Sequence, residues 1–383
     1  MIRAETPAEQ GFRASVRDWL ETNLPQSLRH LTFRPPPGDI MPWYKALSAQ
    51  GWVAPHWPKE HGGMAASAVE QVILIEELTR AGAPDIPSQG LNHIGPMLIK
   101  RGTEAQKAQH LPAILNGDAI WCQGYSEPGA GSDLVGLSTR ARIDGDDLVI
   151  DGHKIWTSWA HHAQWMFALV RTGGARRKGI TFVLIDMATP GITCRPIRTI
   201  AGDDEFAEVF LDGVRVPLSN VVGKIDDGWN TATSLLADER LHIGSPLHVN
   251  RAYRRLQALV ARMDSAGRGA WAARLLEAEI AVETVTAGFL DSSERKDAGI
   301  AVDGESSYLK LLGTEATQRI LDIAQEAAGA IAAQAGPLVE NGRRIDVNDM
   351  FLQSRRLGIY GGSNEIQRSL LATRVLGLGG GRG

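Results

Sequence analysis

Three textures of hydrophobic and polar positions follow one another along the chain. From the start to about residue 120 the apolar residues recur with a helical period: Phe12, Val16, Trp19 and Leu20 share one face, and Val72, Ile75 and Leu78 continue the pattern. Turn signals at Pro35 to Gly38 and His61 to Gly63 punctuate these helices. From about Trp121 to Gly228 the runs become strand-sized. ARIDGDDLVIDG reads as a hairpin around Gly145, and MFALVRT, GITFVLIDM, GITCRPIR and EVFLDGVRVP are rich in Val, Ile, Thr and Phe between Gly, Pro or Asp. Strands at this spacing predict a small antiparallel barrel or sandwich. After Trp229 the helical period returns over Leu235 to Met263, Ala270 to Phe289 and Ser306 to Ala333, with few internal breakers, which predicts an antiparallel bundle. The expected fold is α+β multidomain: an N-terminal α-helical domain over 1–120, a middle antiparallel β-barrel domain over 121–228, and a C-terminal four-helix bundle over 229–383.

Composition narrows the function classes. The 383 residues exceed one comfortable core. A net charge of −4, with arginines scattered among acids, offers no basic stripe for phosphate backbones and argues against a nucleic-acid partner. Two cysteines, Cys122 and Cys194, without CxxC spacing, exclude a disulfide framework and a cysteine-based zinc site and fit a reducing compartment. The N-terminal stretch reads as no signal peptide, and no run approaches the roughly 18 apolar residues a membrane span needs. The expectation is a cytoplasmic protein without membrane partners. His161 and His162 suggest a metal, but adjacent histidines on a strand point to opposite faces, so no metal site is expected.

Three segments carry candidate chemistry. YSEPGAGSDL, Tyr125 to Leu134, places Gly129, Ala130 and Gly131 between the hydroxyls of Ser126 and Ser132. A glycine-rich bend lets backbone approach a planar or phosphorylated ligand and offers it N–H groups; a plain surface loop is the alternative. It is neither a Rossmann fingerprint nor a Walker loop, since the glycine order and GK[ST] are absent. HKIWTSWA offers Trp156 for stacking beside Thr157 and Ser158, although a core or hairpin role explains a tryptophan equally well. IYGGSNEIQR leads through a Gly-Gly bend into a helix opened by Ser363, whose N-terminus suits an anionic group or simply an N-cap.

These segments, with the GTEAQKAQHLP run and the RVP strand, resemble the acyl-CoA dehydrogenase family over nearly the whole chain, and the order of textures agrees with that family's fold. The resemblance implies FAD between the β-domain and the bundle, lined by Gln123, Tyr125, Ser126, Gly131 and Ser132, with Trp156, Thr157 and Ser158 as further ring contacts. Ser363, Asn364 and Glu365 match positions near the FAD phosphates and ribose, and Gln325 with Gly329 matches a stretch that reaches a neighbouring subunit's FAD. It further implies an acyl-CoA substrate near Ser132, Arg240, Gly361 and Gly362, an electron-transfer flavoprotein as acceptor, and a homotetramer or homodimer.

The chemistry of α,β-desaturation needs a carboxylate base for the α-proton and hydrogen bonds to the thioester carbonyl that strengthen as charge develops. Many family members carry that base as a Glu directly after the tyrosine of the closing motif. Here Tyr360 is followed by Gly361 and Gly362, so the position is empty, although the Gly361 N–H can still donate to the carbonyl. A subset of the family places the base on a bundle helix before an arginine, which aligns with Ala237 to Arg240 and assigns Glu239 as base, with Asp238 as fallback. A solvated helix acid is the competing reading of Glu239. The family's Arg-x-x-Phe-Gly segment is missing from GFLDSSERKDAGIAVDGE, which removes expected contacts to the FAD pyrophosphate. The alternative assembly is a heterotetramer with a related subunit, as in relatives that act on steroid side-chain CoA esters. The rival readings are a subunit that completes a partner's site without chemistry, and a flavin oxidase or monooxygenase on the same scaffold.

Overall fold

The computed structural model describes residues 4–31, 34–174, 176–300, 303–334, 336–340, 343–345 and 348–378; the side chains of 234–241, 297, 303, 340 and 343 lie outside that description. In chain order the helices α1 (Pro7–Asn23), α2 (Pro37–Ala49), α3 (Ala68–Ala81), α4 (Gly95–Arg101) and α5 (Glu104–Leu115) precede seven strands. These are β1 (Trp121–Gly124), β2 (Arg140–Asp144), β3 (Asp147–Ser158), β4 (Trp165–Arg171), β5 (Ile180–Asp186), β6 (Ile192–Ile197) and β7 (Phe206–Pro217). Helices α6 (Gly228–Ile243), α7 (Leu247–Val260), α8 (Ser265–Asp297) and α9 (Asp303–Ala328) follow. A hairpin of β8 (Leu338–Glu340) and β9 (Arg343–Ile345) and the short helices α10 (Asn348–Ser354) and α11 (Asn364–Leu370) complete the chain.

Local sequence explains the boundaries. Thr6 with Glu9, Ser67 with Glu70 and Thr103 with Gln106 each form a reciprocal capping box that opens α1, α3 and α5. Gly82, at φ +72°, closes α3 in the left-handed conformation. The PPPG segment, expected as a turn, instead starts α2 with Pro37 at the first helical position, where a missing N–H costs nothing. The helix expected over Leu235 to Met263 is broken between Ile243 and Leu247. A Cβ on Gly244 would stand 2.8 Å from the Leu309 carbonyl carbon, so the glycine permits close packing on α9 at that break. The helical run expected to reach Ala333 tightens into a 3₁₀ turn at Gly329, and α8 runs on past Phe289 to Asp297.

The chain divides into two compact units that cut across the three textures. One comprises 1–35, 66–85 and 240–383; the other comprises 36–65 and 86–239. In the first, α7, α8 and α9 close on a core of Val249, Leu256, Leu259, Val285, Ile320, Leu321 and Ala324. Helix α1 is clamped to α3 by Arg13 and Arg17, which both bind the buried Glu77 carboxylate, at 3.0 and 2.7 Å.

In the second unit the sheet runs β1-β4-β2-β3-β7-β6, with β5 beside β4. Most pairings are antiparallel, including the β2–β3 hairpin that turns at Gly145 (φ +64°). β1 and β4 pair in parallel, Trp121 opposite Trp165, a geometry the long connection between them permits. Met166, Ala168, Val170, Val183, Ile185, Val209 and Val214 fill the sheet's core. No helix among the described residues is long and apolar enough to cross a membrane.

Candidate active site

In the sheet-bearing unit the glycine-rich loop and strand β3 are joined. The Ser126 carbonyl accepts the Ile155 N–H at 3.0 Å, and Glu127 and Ala130 exchange two backbone hydrogen bonds of 2.9 and 3.0 Å that close a tight turn. Under that turn lies a buried ion pair. The Lys154 ammonium donates to Glu127 Oε1 at 2.7 Å and to the Leu169 carbonyl at 2.7 Å. Glu127 also accepts from Ser138 N–H (2.6 Å), Ser138 Oγ (2.7 Å) and Thr139 N–H (3.0 Å). Burial alone would raise the Glu127 carboxyl; Lys154 and these donors outweigh it and hold it down at about 2. The pair fixes the loop to β3 and β4 from inside the sheet.

The outer surface of this loop is open. Gly131 and Ser132 are exposed, and a Cβ built on Gly129 or Gly131 would meet no atom within 4 Å. The protein's own packing therefore does not demand glycine there, which suits backbone left bare for an external ligand. Gln123 lies on β1 opposite Phe167, and Tyr125 is buried edge-on to Phe167 and Phe182.

Trp156 sits at a bulge. Lys154 pairs with Val209 and Thr157 with Ala207, so β3 carries one extra residue against β7. Trp156 takes up the excess at φ +60°, a strained conformation for a bulky residue, and its indole stands 57% exposed, edge-on to Phe206. Its exposure sets the core alternative aside, while the position does lie on a paired strand of the sheet. Next to it, Thr157 is fully buried and its Oγ1 has no hydrogen-bond partner among the described residues. An exposed indole, a bare glycine loop and a buried hydroxyl awaiting a partner fit a planar, hydrogen-bonding cofactor such as a flavin. Ser158 ends the strand opposite Phe206.

In the helical unit the closing segment is built on α9. Ser363 caps α11, its Oγ accepting the Ile366 N–H at 3.4 Å. Asn364 is buried; its Oδ1 accepts from the fully buried Lys310 ammonium at 2.6 Å, and its Nδ2 donates to Glu315 at 3.1 Å. Its side chain is thus committed to docking α11 on α9. Glu365 is exposed, and its carboxyl is held below the usual range by the helix-end backbone N–H and Ser363. Gly361 (φ +65°) and Gly362 (φ +83°) turn the chain ahead of the cap, and Gln367 Nε2 donates to both carbonyls, at 3.0 and 3.2 Å. These carbonyls face inward to Gln367, and any side chain at 361 would meet left-handed strain.

Gln325 and Gly329 lie on α9 and just beyond it, 15 and 19 residues past Lys310. At 1.5 Å per residue that is about 22 Å for Gln325, so Asn364 and Gln325 occupy well-separated points of one helix. Glu239 and Arg240 fall on α6, but their side chains, with that of Asp238, lie outside the described residues. His161 and His162 lie on a turn beyond β3 rather than on a strand; their rings are 4.2 Å apart, so the opposite-faces expectation is corrected. Glu127, Lys154, Lys310 and Gln367 were not singled out from the sequence. All but Lys310 stand inside the quoted motifs, where an acid, a lysine and a glutamine look like ordinary solvated side chains.

Comparisons with known proteins agree in sequence and structure. Family models match in order: acyl-CoA dehydrogenase N-terminal domain over 6–118, middle domain over 122–214 and C-terminal domain over 226–376. The chain is 37% identical over 391 residues to the acyl-CoA dehydrogenase IpdE1 of Mycolicibacterium smegmatis, covering 96% of this chain and 97% of that one. Among solved structures it is similar to a Tcur3481-Tcur3483 steroid ACAD, with TM-score 0.88, 33% identity and coverage of 99% and 100%. It is also similar to the ChsE4-ChsE5 complex from Mycobacterium tuberculosis, with TM-score 0.84, 29% identity and full coverage of both chains.

Proposed function

Since the chain belongs to the acyl-CoA dehydrogenase family, we propose that it binds FAD and desaturates an acyl-CoA thioester between its α and β carbons, with Glu239 as base. The observation that carries the cofactor reading is the splice of Ser126 to Ile155, which sets the open glycine loop beside the exposed Trp156 indole and the unpartnered Thr157 hydroxyl. FAD, when bound, supplies the acceptor for the β-hydrogen as hydride. The chain's residues do the rest. Gln123, Tyr125, Ser126, Gly131 and Ser132 line the ring from the loop, and Trp156, Thr157 and Ser158 from the bulge. Ser363, Glu365 and the Asn364 backbone, whose side chain is held by Lys310 and Glu315, serve the cofactor's polar arm, and Gln325 with Gly329 serve that of a neighbouring subunit. Glu239 takes the α-proton because Gly361 carries no side chain to do so, while the Gly361 N–H donates to the thioester carbonyl. Arg240, Gly362 and Ser132 contact the substrate, and an electron-transfer flavoprotein reoxidises the enzyme.

Anaerobic addition of acyl-CoA should bleach the flavin of the wild type quickly and that of Glu239→Gln far more slowly. Unchanged reduction in the variant moves the base elsewhere, Asp238 first. Rapid reoxidation of the reduced enzyme by air would favour an oxidase instead.

The missing Arg-x-x-Phe-Gly segment favours a second reading of the assembly. Two of the similar structures carry two-part names, the Tcur3481-Tcur3483 steroid ACAD and the ChsE4-ChsE5 complex. On this reading the chain pairs with a related subunit in a heterotetramer and acts on a steroid-derived CoA ester. Co-expression with a related subunit should yield a yellow complex, and yellow homomers formed alone would reject the pairing.

A further inference from the structure

Apart from the segments above, the helical unit holds a small cavity of about 40 Å³ lined by His30, Gly82, Arg251, Arg254, Arg255 and Arg344, among others. Arg251 and Arg255 lie four residues apart on α7, with Arg254 beside them, so like charges crowd one helix face. Arg344 comes from β9 and is exposed, as is Arg254. One side of the cavity is rigidly built. Arg251 is 8% exposed, pairs with Asp85 at 2.6 Å and donates to the Ala83 carbonyl at 2.9 Å. His30 sits at φ +56°, its N–H donating to the Gly82 carbonyl at 2.8 Å, with its ring where a Cβ on Gly82 would stand. A non-glycine residue in that conformation is strained and persists where its surroundings impose it.

Four guanidiniums line this cavity in a chain whose net charge is −4. Asp85 pairs with Arg251 and Gln257 accepts from Arg254 at 3.2 Å, while the described lining residues include no carboxylate. Guanidinium forks match tetrahedral oxoanions through paired N–H donors. The cavity holds little more than such a group, with the rest of any larger ligand left outside. We propose that it is a phosphate-group site, taking the phosphate or pyrophosphate end of a small molecule.

Thermal melting of the full-length protein in sodium pyrophosphate, against sodium chloride of equal ionic strength, tests this. A saturable rise in melting temperature is expected for the wild type, with at least tenfold weaker apparent affinity in Arg254→Gln/Arg344→Gln, two exposed positions whose exchange leaves the core intact. Arg254→Lys/Arg344→Lys should fall between, since charge remains and the fork is lost. Adenosine diphosphate binding more tightly than pyrophosphate would identify a nucleotide as the source, and equal binding the bare phosphate group. A rise matched by chloride, or one unchanged in the Gln variant, overturns the proposal. The readout is melting, not turnover, so it stands or falls apart from the dehydrogenase reading.

Discussion

The Lys154 ammonium lies 2.7 Å from the Glu127 carboxylate, with both side chains essentially sealed from solvent beneath the glycine-rich loop. Removing one member leaves the other as an unpaired buried charge, which typically costs about 3–5 kcal/mol. Lys154→Met should therefore lower the urea midpoint sharply and loosen the loop. Lys154→Met/Glu127→Gln should recover a large part of that loss. A double variant no better than the single would show that the pair contributes through more than charge compensation.

Acid should act on two clamps together. Glu127 and Glu77 ordinarily titrate near 4.5; in both, burial alone would raise the value, but Lys154 for one and Arg17, Arg80 and Arg13 for the other bring it to about 2. A depressed carboxyl contributes stability that is complete above the unfolded value and is lost as pH falls through the folded one. Denaturant midpoints should thus fall between about pH 4.5 and pH 2. Glu77→Gln, already lacking one of these groups, should show a shallower dependence over that window.

Trp156 separates stability from cofactor binding. Its left-handed backbone costs roughly 1–3 kcal/mol that glycine avoids, and its indole is mostly exposed. Trp156→Gly should melt no lower than Trp156→Ala, while both variants retain less flavin than the wild type through gel filtration. Full flavin retention in both would remove the indole from the proposed ring contacts.

Glu239→Gln should slow flavin reduction by acyl-CoA by about 10²–10⁴-fold, the usual contribution of a positioned base, with the melting temperature unchanged. Gly361→Glu in that background should not restore the rate fully, because position 361 is at φ +65° and a side chain there is strained. Stopped-flow absorbance on both variants checks this.

Much of the fold was legible in the residues themselves. The hairpin at Gly145 and the apolar strands of the middle region are local signals, written over four to ten residues and read with local rules. The motif segments 125–134, 153–160 and 359–368 likewise stood out as the candidates for the site. Tertiary structure decided what periodicity cannot carry. The break at Gly244 depends on how closely α9 approaches, and the parallel β1–β4 pairing depends on partners more than 40 residues apart. The left-handed Trp156 exists because β3 carries one residue more than β7 at that point, a mismatch belonging to neither strand alone. Lys154 and Glu127 read as solvated charges until the sheet buries them against each other. Burial is a property of the assembled core, and it converts two ordinary residues into the clamp that holds the loop.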